Sequence, residues 1–306
     1  MVLSVLDLGS NSFHLAAYRV RSRNRLEKVG RAKEMCRLGA GTLWNRSIDD
    51  AAWRRGSAAL ERLYRRALGH DPDRLIAVAT SAIRDAENGA GFCRAAHRRL
   101  GLDIEVLSGE DEAHLIYHGA LSALPRTSGR VAVIDVGGGS AEIAVGDRRT
   151  CAFAACLPLG VLRMRDVASE RVVGRVRAVA RETMAEVRRL RPATVVLTSG
   201  TARRLADVAV GLGLSGAGAR QVTRPALRAI VEALPQLRPS DLAALGVEEG
   251  RWDTIRHGAL IFDALLDMGG ARCARVSTRG LREGVALREL GRGSRARRAV
   301  GVMAAG

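Results

Sequence analysis

The sequence is poor in aromatic residues and has no long hydrophobic run. Phe, Trp and Tyr make up 3% of the 306 residues, which leaves little material for the stacked rings that bind single-stranded nucleic acid, so we expect no specific nucleic-acid partner. No apolar run has the length needed to span a bilayer, and the N-terminus enters a strand without a basic-then-apolar leader. These absences predict a cytoplasmic protein with no membrane partner.

Cysteine is also scarce, and its spacing carries no motif. The five cysteines show no Cys-x-x-Cys pair, which argues against a zinc cluster or a redox pair. Their odd number and apolar contexts predict reduced thiols in the core of a cytoplasmic protein. They are Cys36, Cys93, Cys151, Cys156 and Cys273.

The charge of the chain is strongly of one sign. The formal net charge is +17, and Lys28 and Lys33 are the only lysines, so arginine carries almost all of it. A basic excess of this size favours an anionic partner. Because aromatic residues are scarce, a polyanion without bases suits this surface better than a nucleic acid. The alternative is a general preference for arginine on a solvated surface.

One short stretch occurs twice, at residues 5–15 and 133–143. In both copies an apolar run ends in Asp, a Gly/Ser turn follows, and an alternating run leaves, which predicts a strand, a turn and a returning strand. A single Asp-x-Gly turn also closes ordinary hairpins, but two copies in register favour a duplicated functional element. The aligned pairs are Asp7 with Asp135, Gly9 with Gly137, Ser12 with Ser140, and His14 with Glu142.

This element has the chemistry of a phosphate site. Glycines allow a sharp turn that exposes several N–H groups, and those donors can cradle a phosphate together with serine hydroxyls. Carboxylates at the strand ends can hold Mg²⁺ or another divalent cation against phosphate oxygens. The predicted metal ligands are Asp7, Asp135 and Glu142. The predicted phosphate-binding residues are Gly9, Ser10, Asn11, Ser12, Gly137, Gly138, Gly139 and Ser140.

The order of the predicted elements repeats as well. The chain is long enough for two domains, and the order β-β-β-α-β-α-β-α restarts after a turn-rich segment at 125–129. We therefore predict an α/β protein with an N-terminal domain at 1–124 and a C-terminal domain at 125–306, facing each other across a cleft. The second domain has helical insertions and a basic, disordered tail from about residue 292.

Periodicity gives approximate bounds for the elements. The predicted strands are 2–8, 12–20, 26–36, 75–79, 103–107, 131–136, 141–146, 150–156, 194–198 and 273–277. The predicted helices are 49–68, 88–100, 110–123, 166–190, 202–211, short ones within 224–246, 252–268 and 279–290.

Several longer motifs give the chain a family resemblance. They are DLGSNSFHL at 7–15, TSAIRDA at 80–86, SGEDEAHLIYHG at 108–119, VIDVGGGSAEI at 133–143, LPLG at 157–160, SGT at 199–201 and RGLREG at 279–284. With these motifs the chain resembles the exopolyphosphatase and guanosine pentaphosphate phosphohydrolase family over about residues 2–291. That family belongs to the wider group of actin, sugar kinases and heat-shock ATPases. The resemblance implies two actin-like (ribonuclease H-like) domains in a short, two-domain form.

The resemblance also implies roles for single residues. Glu112, in the SGEDEA motif, matches the carboxylate that activates water in the family. Arg84, Arg163 and Arg279 lie in family-like motifs and are candidate cationic contacts for the substrate, with Arg84 the foremost. A homodimer is expected from the family.

Four functions remain open from the sequence. The first is a Mg²⁺-dependent exopolyphosphatase that releases terminal phosphate from inorganic polyphosphate. The second is a 5′-phosphohydrolase that converts guanosine pentaphosphate to the tetraphosphate, with the alarmone as substrate or inhibitor. The third is a non-catalytic regulator that binds polyphosphate or the alarmone. The fourth is an ATP-dependent kinase or chaperone-like switch, against which the chain length and the SGEDEA motif argue.

Overall fold

The computed structural model describes most of the chain. The described residues are 1–22, 25–125, 127–216, 218 and 220–291, without the side chains of Leu43 and Trp44. The tail predicted to be disordered from residue 292 lies outside the described residues.

Within these residues the first half of the chain builds a five-stranded mixed sheet with the order β3-β2-β1-β4-β5. Strands β1 and β2 are antiparallel, and β4 and β5 run parallel to β1. The carboxyl ends of β1, β4 and β5 therefore meet at one edge of the sheet. The strands are β1 (Val2–Leu8), β2 (Ser12–Ser22), β3 (Arg25–Met35), β4 (Arg74–Ala79) and β5 (Ile104–Val106).

The second sheet repeats this arrangement and adds one short strand. Its described order is β10-β11-β9-β6-β7-β8, so β6, β7, β8, β9 and β11 take the places of β1 to β5. The α/β class with two similar halves is therefore confirmed. The strands are β6 (Val131–Val136), β7 (Ala141–Gly146), β8 (Cys151–Leu157), β9 (Thr194–Thr198), β10 (Gln221–Thr223) and β11 (Cys273–Val276).

Helices cover the sheets and fill the space between them. The described helices are α1 (Gly39–Asn45), α2 (Asp50–Leu68), α3 (Ser81–Arg84), α4 (Gly89–Leu100), α5 (Gly109–Leu121), α6 (Val161–Met164), α7 (Ser169–Leu190), α8 (Ser199–Gly211), α9 (Arg224–Ala233), α10 (Pro239–Ala244), α11 (Ile255–Gly269) and α12 (281–291). Short 3₁₀ helices lie at Leu234–Gln236 and Glu249–Arg251. None of the described helices combines the length and apolar character needed to cross a membrane.

Helices α5 and α12 pack between the two sheets. Leu115 of α5 shares an apolar cluster with Leu3 of the first sheet, whereas Ile116 joins a cluster with Val133 of the second. Val285 of α12 packs into the first of these clusters. A helix from the end of the chain thus lies against the first sheet, and the division at 124/125 stays a prediction.

The predicted bounds agree with the structure to within a few residues, with some exceptions. The segment between the predicted strand 26–36 and the predicted helix 49–68 was given no element but contains α1. The helix predicted at 166–190 is observed as α7, whereas the short α6 before it and the strand β10 were not predicted. These elements are three to seven residues long, which is too short for periodicity to detect.

The cysteine prediction was partly wrong. All five cysteines are free, as expected. However, only Cys36 is buried and Cys273 is exposed. An apolar neighbourhood in the sequence does not determine burial, because strand edges expose part of their residues.

Candidate active site

The two repeated loops meet at the centre of the molecule. Asp7 lies opposite His14 in the β1–β2 register, and Asp135 lies opposite Glu142 in the β6–β7 register. Asp7 and His14 in the first half therefore occupy the same positions as Asp135 and Glu142 in the second, as the repeat predicted. A Cβ atom on Gly138 would lie 3.0 Å from the backbone nitrogen of Asn11, so a side chain there would have to push the facing loop back by a few tenths of an ångström.

A pocket of about 140 Å³ opens between these loops. Most of the predicted site residues line it: Asp7, Gly9, Ser10, Asn11, Ser12, Glu112, Asp135, Gly137, Gly138, Ser140 and Glu142. The side-chain amide of Asn11 is buried without a hydrogen-bond partner in the described part of the chain. An unsatisfied buried amide is costly, so this group is available to a polar ligand such as a phosphate.

Four carboxyl groups share this pocket, and burial changes their chemistry. Burial, followed by the charge of Glu142, raises the pKa of Asp135 to about 8. The same two causes raise the pKa of Glu112 well above its usual value. Burial also raises the pKa values of Asp7 and Glu142. Such a concentration of mutually repelling acids is typical of a functional site.

The predicted metal ligands are not assembled into a finished metal cage. Among the described residues, no three His, Cys, Asp or Glu side chains are close enough to share a metal ion. The Oδ2 atom of Asp7 instead accepts a hydrogen bond from Arg282 at 3.2 Å. The donor set still fits Mg²⁺, because this ion is usually held by one or two carboxylates, with water and substrate phosphates as the other ligands.

Glu112 is held at the edge of the pocket by the start of α5. The Ser108 hydroxyl caps this helix by accepting a hydrogen bond from the Asp111 backbone amide at 3.1 Å, as serine commonly does at a helix N-terminus. Arg84 then fixes the Glu112 carboxylate, with 2.7 Å between Nη1 and Oε2. The same guanidinium donates to the Leu107 carbonyl at 3.1 Å and to the Cys156 thiol at 3.5 Å.

Arg84 therefore sits behind Glu112 and does not line the central pocket in the described structure. The other two arginines named from the sequence also have structural partners. Arg163 donates to the Gly139 carbonyl at 2.8 Å, and Gly139 itself is not among the residues that line the pocket. Arg279 donates to the Ser122 hydroxyl at 3.1 Å.

Sequence reasoning missed three arginines that do line the pocket, namely Arg203, Arg251 and Arg282. Arg282 lies in the RGLREG motif, from which only Arg279, the first arginine, was predicted to contact the substrate. Arg203 follows the SGT motif by two residues. These neighbouring motifs were the available signals, because nothing else distinguishes three arginines in so arginine-rich a chain.

The three missed arginines also line a second, larger cavity of about 710 Å³ that adjoins the pocket. We call it the basic cavity. Both lysines of the chain line it, and its described lining contains no Phe, Trp or Tyr. The cationic residues are Lys28, Arg31, Lys33, Arg203, Arg204, Arg220, Arg251 and Arg282, against the acidic Asp207 and Glu248.

Glu112 and the basic cavity lie on opposite sides of the central loops. Asp7 and Asp135 end the central strands β1 and β6. Glu112 follows β5, which is one edge of the first sheet, and it lies near β7 and β8 of the second. The basic cavity is lined instead by β2 and β3 of the first sheet and β11 of the second, which lie on the other side of β1 and β6. A ligand held by the central loops would therefore have Glu112 on one side and the basic cavity on the other.

Comparison with known proteins gives a consistent result. A model of the Ppx/GppA phosphatase family matches residues 17–293. The chain is 29% identical over 305 residues to "Exopolyphosphatase 1" of Mycobacterium bovis, covering 95% of this chain and 88% of that protein. It is 30% identical over 295 residues to a "Putative exopolyphosphatase" of Haemophilus influenzae, covering 92% and 90% respectively.

Solved structures share the fold over the same length. An exopolyphosphatase from Cytophaga hutchinsonii superposes with a TM-score of 0.87 at 23% identity, covering 95% of this chain and 98% of that one. The Ppx/GppA family member of Aquifex aeolicus gives a TM-score of 0.76 at 23% identity, covering 96% and 98%. At this identity the likeness establishes the fold alone.

Proposed function

Because this chain belongs to the Ppx/GppA phosphatase family, we propose that it is an exopolyphosphatase, which removes the terminal phosphate of inorganic polyphosphate with Mg²⁺. The observation that carries this proposal is the contact between the carboxylate-lined pocket and the basic cavity. The pocket suits one phosphate group, and the cavity suits a long polyanion attached to it.

The loops bind and orient the terminal phosphate in this mechanism. The N–H groups of the two Gly turns, the hydroxyls of Ser12 and Ser140 and the free amide of Asn11 donate to its oxygens. Asp7, Asp135 and Glu142 would hold Mg²⁺, which supplies charge neutralisation at the phosphate oxygens when it is bound. Arg203 and Arg282 add positive charge on the side of the departing chain.

Glu112 is the general base. Its pKa is raised by burial and by Glu142, which makes it a better proton acceptor than an exposed carboxylate. It takes a proton from a water molecule as the water attacks the terminal phosphorus. Arg84 orients the carboxylate and lowers its pKa against the larger effect of burial, since a neighbouring cation favours the charged form.

In-line displacement requires the attacking water and the leaving group to lie on opposite faces of the phosphorus. Glu112 lies on one side of the central loops and the basic cavity on the other, so a phosphate held by the loops would meet this requirement. The remaining polyphosphate therefore departs into the basic cavity. The cavity offers no aromatic ring for a guanine base in its described lining, which favours the inorganic chain over guanosine pentaphosphate.

A homodimer and a cytoplasmic location belong to the same proposal. Both rest on the family resemblance and on the sequence features given above. Light scattering of the purified protein would test the dimer, and a monomer at micromolar concentration would contradict it.

The first test is phosphate release with Mg²⁺ from short polyphosphate, long polyphosphate, guanosine pentaphosphate and ATP. Release from polyphosphate should fall by about 10²–10⁴ in Glu112→Gln, because the variant keeps the shape of the side chain but lacks the base. Polyphosphate binding should remain. Arg65→Gln, a change in an exposed ion pair on α2, is the matched control.

The other outcomes distinguish the alternatives. Release from the nucleotide alone would replace the proposal with a guanosine pentaphosphate hydrolase. Binding without release from any substrate would point to a non-catalytic regulator. Undiminished release in Glu112→Gln would remove Glu112 as the base.

A further inference from the structure

A third cavity, of about 400 Å³, lies near the active site and is lined by Thr42, Arg46, Arg84, Asp85 and Arg163. We call it the arginine cavity. Three guanidinium groups and one carboxylate give its described lining an excess of positive charge. Arginine in this density suits a small oxyanion, because its planar fork of donors matches phosphate oxygens.

The contact between Arg84 and Glu112 joins this cavity to the central pocket. Glu112 lines the pocket and Arg84 lines the cavity, and their side chains are 2.7 Å apart. Asp85 ties the cavity to the second half of the molecule through a 2.6 Å ion pair with Arg163. The arginine cavity therefore lies on the side of Glu112, away from the basic cavity.

The proposed reaction produces orthophosphate on this same side. A P–O bond forms to the water oxygen next to Glu112, and the bridging P–O bond to the chain breaks on the far side. The oxygen of the attacking water stays in the orthophosphate, and its proton passes to Glu112. The shortened chain occupies the basic cavity, so the arginine cavity offers the orthophosphate a route that does not require the chain to leave first.

Protonation of Glu112 also changes the contact that separates the two spaces. A neutral carboxylic acid attracts a guanidinium less than a carboxylate does. Arg84 is then able to donate to an orthophosphate oxygen instead. The step that makes the product thus loosens the ion pair that lies in its path.

We propose that the arginine cavity is an orthophosphate site through which the product leaves while the polyphosphate chain stays bound in the basic cavity. This inference rests on the proposed function. It assigns Arg46 and Arg163 a role in product release, and it provides for repeated cleavage of one chain without its dissociation.

The kinetic test uses inorganic phosphate as an inhibitor of polyphosphate hydrolysis. If phosphate binds the arginine cavity, it binds the enzyme–chain complex, so inhibition should be mixed with respect to polyphosphate. The inhibition constant for that complex should rise about threefold in Arg46→Gln and about tenfold in Arg46→Glu. Arg46 is exposed and pairs only weakly with Glu87 at 3.9 Å, so both variants should fold.

Arg65→Gln is the control, since Arg65 is equally exposed and also pairs with one carboxylate. It should leave phosphate inhibition unchanged. Strictly competitive inhibition in the wild-type protein, or an inhibition constant unaffected by Arg46→Glu, would overturn the proposal.

A binding measurement separates this proposal from the proposed function. Glu112→Gln carries a neutral side chain like that of the protonated base, and it should hold uncleaved polyphosphate. Calorimetric titration of this saturated complex with inorganic phosphate should give a binding heat that is lost when Arg46→Glu is added. Bound polyphosphate without phosphate binding would contradict the exit site alone. Absence of polyphosphate binding would contradict the proposed function.

Discussion

Single residues gain their chemistry here from neighbours that are distant in the sequence. Glu112 opens a helix, where an acidic residue is common for reasons of the helix dipole alone. Its burial, the nearby Glu142 and the ion pair with Arg84 are what distinguish it from an ordinary capping residue. The resemblance assigned the role of base to Glu112 and a substrate contact to Arg84, whereas in the structure Arg84 forms an ion pair with Glu112.

This arrangement predicts the effect of Arg84→Gln. Arg84 lowers the pKa of Glu112 against the larger effect of burial. Its removal should raise that pKa further, so a smaller fraction of the base is ionised at a given pH. The acidic limb of the pH–rate profile should move to higher pH, and turnover at neutral pH should fall roughly tenfold or more. An unshifted acidic limb would argue against the orienting role, and Arg65→Gln should show neither effect.

His14 illustrates a different consequence of burial. It lies among Arg282, Lys33 and Arg251, and its Nε2 atom is 2.8 Å from the Ser12 hydroxyl. Burial, followed by the charge of Arg282 and Lys33, lowers the pKa of His14 well below 6.5. The ring is therefore neutral near neutral pH, and its hydrogen bond holds Ser12 in the turn between β1 and β2.

The lowered pKa of His14 has a calculable sign for stability. In the unfolded chain His14 has a pKa of about 6.5. Below that pH the unfolded chain therefore binds a proton at His14 that the folded protein does not bind. The lowered pKa of His14 therefore adds to the free energy of unfolding above about pH 6.5. This addition is lost as the pH falls towards the pKa of His14 in the folded protein. The drop in Tm between about pH 7 and pH 5 should be smaller in His14→Gln than in the wild type. Parallel Tm profiles for the two proteins would contradict this assignment.

At the scale of elements, the site depends on two helices that touch through glycine. A Cβ atom on Gly284 of α12 would overlap the Leu115 carbonyl of α5, and one on Gly119 would overlap the Gly280 carbonyl. Helix α12 carries Arg282 and α5 carries Glu112, and both residues line the pocket. The close backbone approach therefore sets the distance between Glu112, the proposed base, and Arg282, which pairs with Asp7.

Gly284→Ala should accordingly destabilise the protein. The added methyl group meets rigid backbone, and overpacking of this kind costs about 1–3 kcal/mol in the free energy of unfolding. Turnover should fall with it, because the separation of α5 and α12 moves Glu112. Urea unfolding and phosphate release would measure the two effects.

Gly174→Ala in α7 is the matched control, since no atom lies within 4 Å of its added Cβ. This exposed helical position should gain about 0.5–1 kcal/mol of stability. If both variants changed stability equally, the close contact between α5 and α12 would not explain the destabilisation expected for Gly284→Ala.

At the scale of the whole molecule, the excess charge is not spread evenly around the site. Eight cationic side chains line the described basic cavity against two carboxylates. A cleft with charge of one sign concentrates a polyanion and speeds its association, and salt screens both effects. The general preference for arginine on the surface does not account for such a concentration, which includes both lysines of the chain.

Binding of long polyphosphate should therefore depend steeply on ionic strength. Its Kd should rise by roughly tenfold or more between about 0.05 M and 0.5 M NaCl. The slope should be shallower in Arg31→Gln combined with Arg220→Gln, because both residues line the basic cavity. Arg65→Gln should keep the wild-type slope. A Kd independent of salt, measured by competition or calorimetry, would contradict the role of the cavity.

The sequence by itself determined the two repeated Asp–Gly loops, the order along the chain of all described strands but β10, and the excess of positive charge. These are local or additive properties: an apolar run that ends in Asp and Gly specifies a strand and its turn wherever the rest of the chain lies. The internal repeat then implied two similar halves, which the equivalent strand orders confirm.

Only the tertiary structure decided which charged groups meet. Asp7 and Arg282 are 275 positions apart in the chain, and the RGLREG motif contains Arg279 as well as Arg282, so the sequence does not show which of the two meets Asp7. Desolvation and Coulomb interactions depend on burial and on distance through space. The raised pKa of Glu112, the position of Arg84 behind it and the two cavities on either side therefore follow from the packing of the sheets and helices, not from any local stretch of sequence.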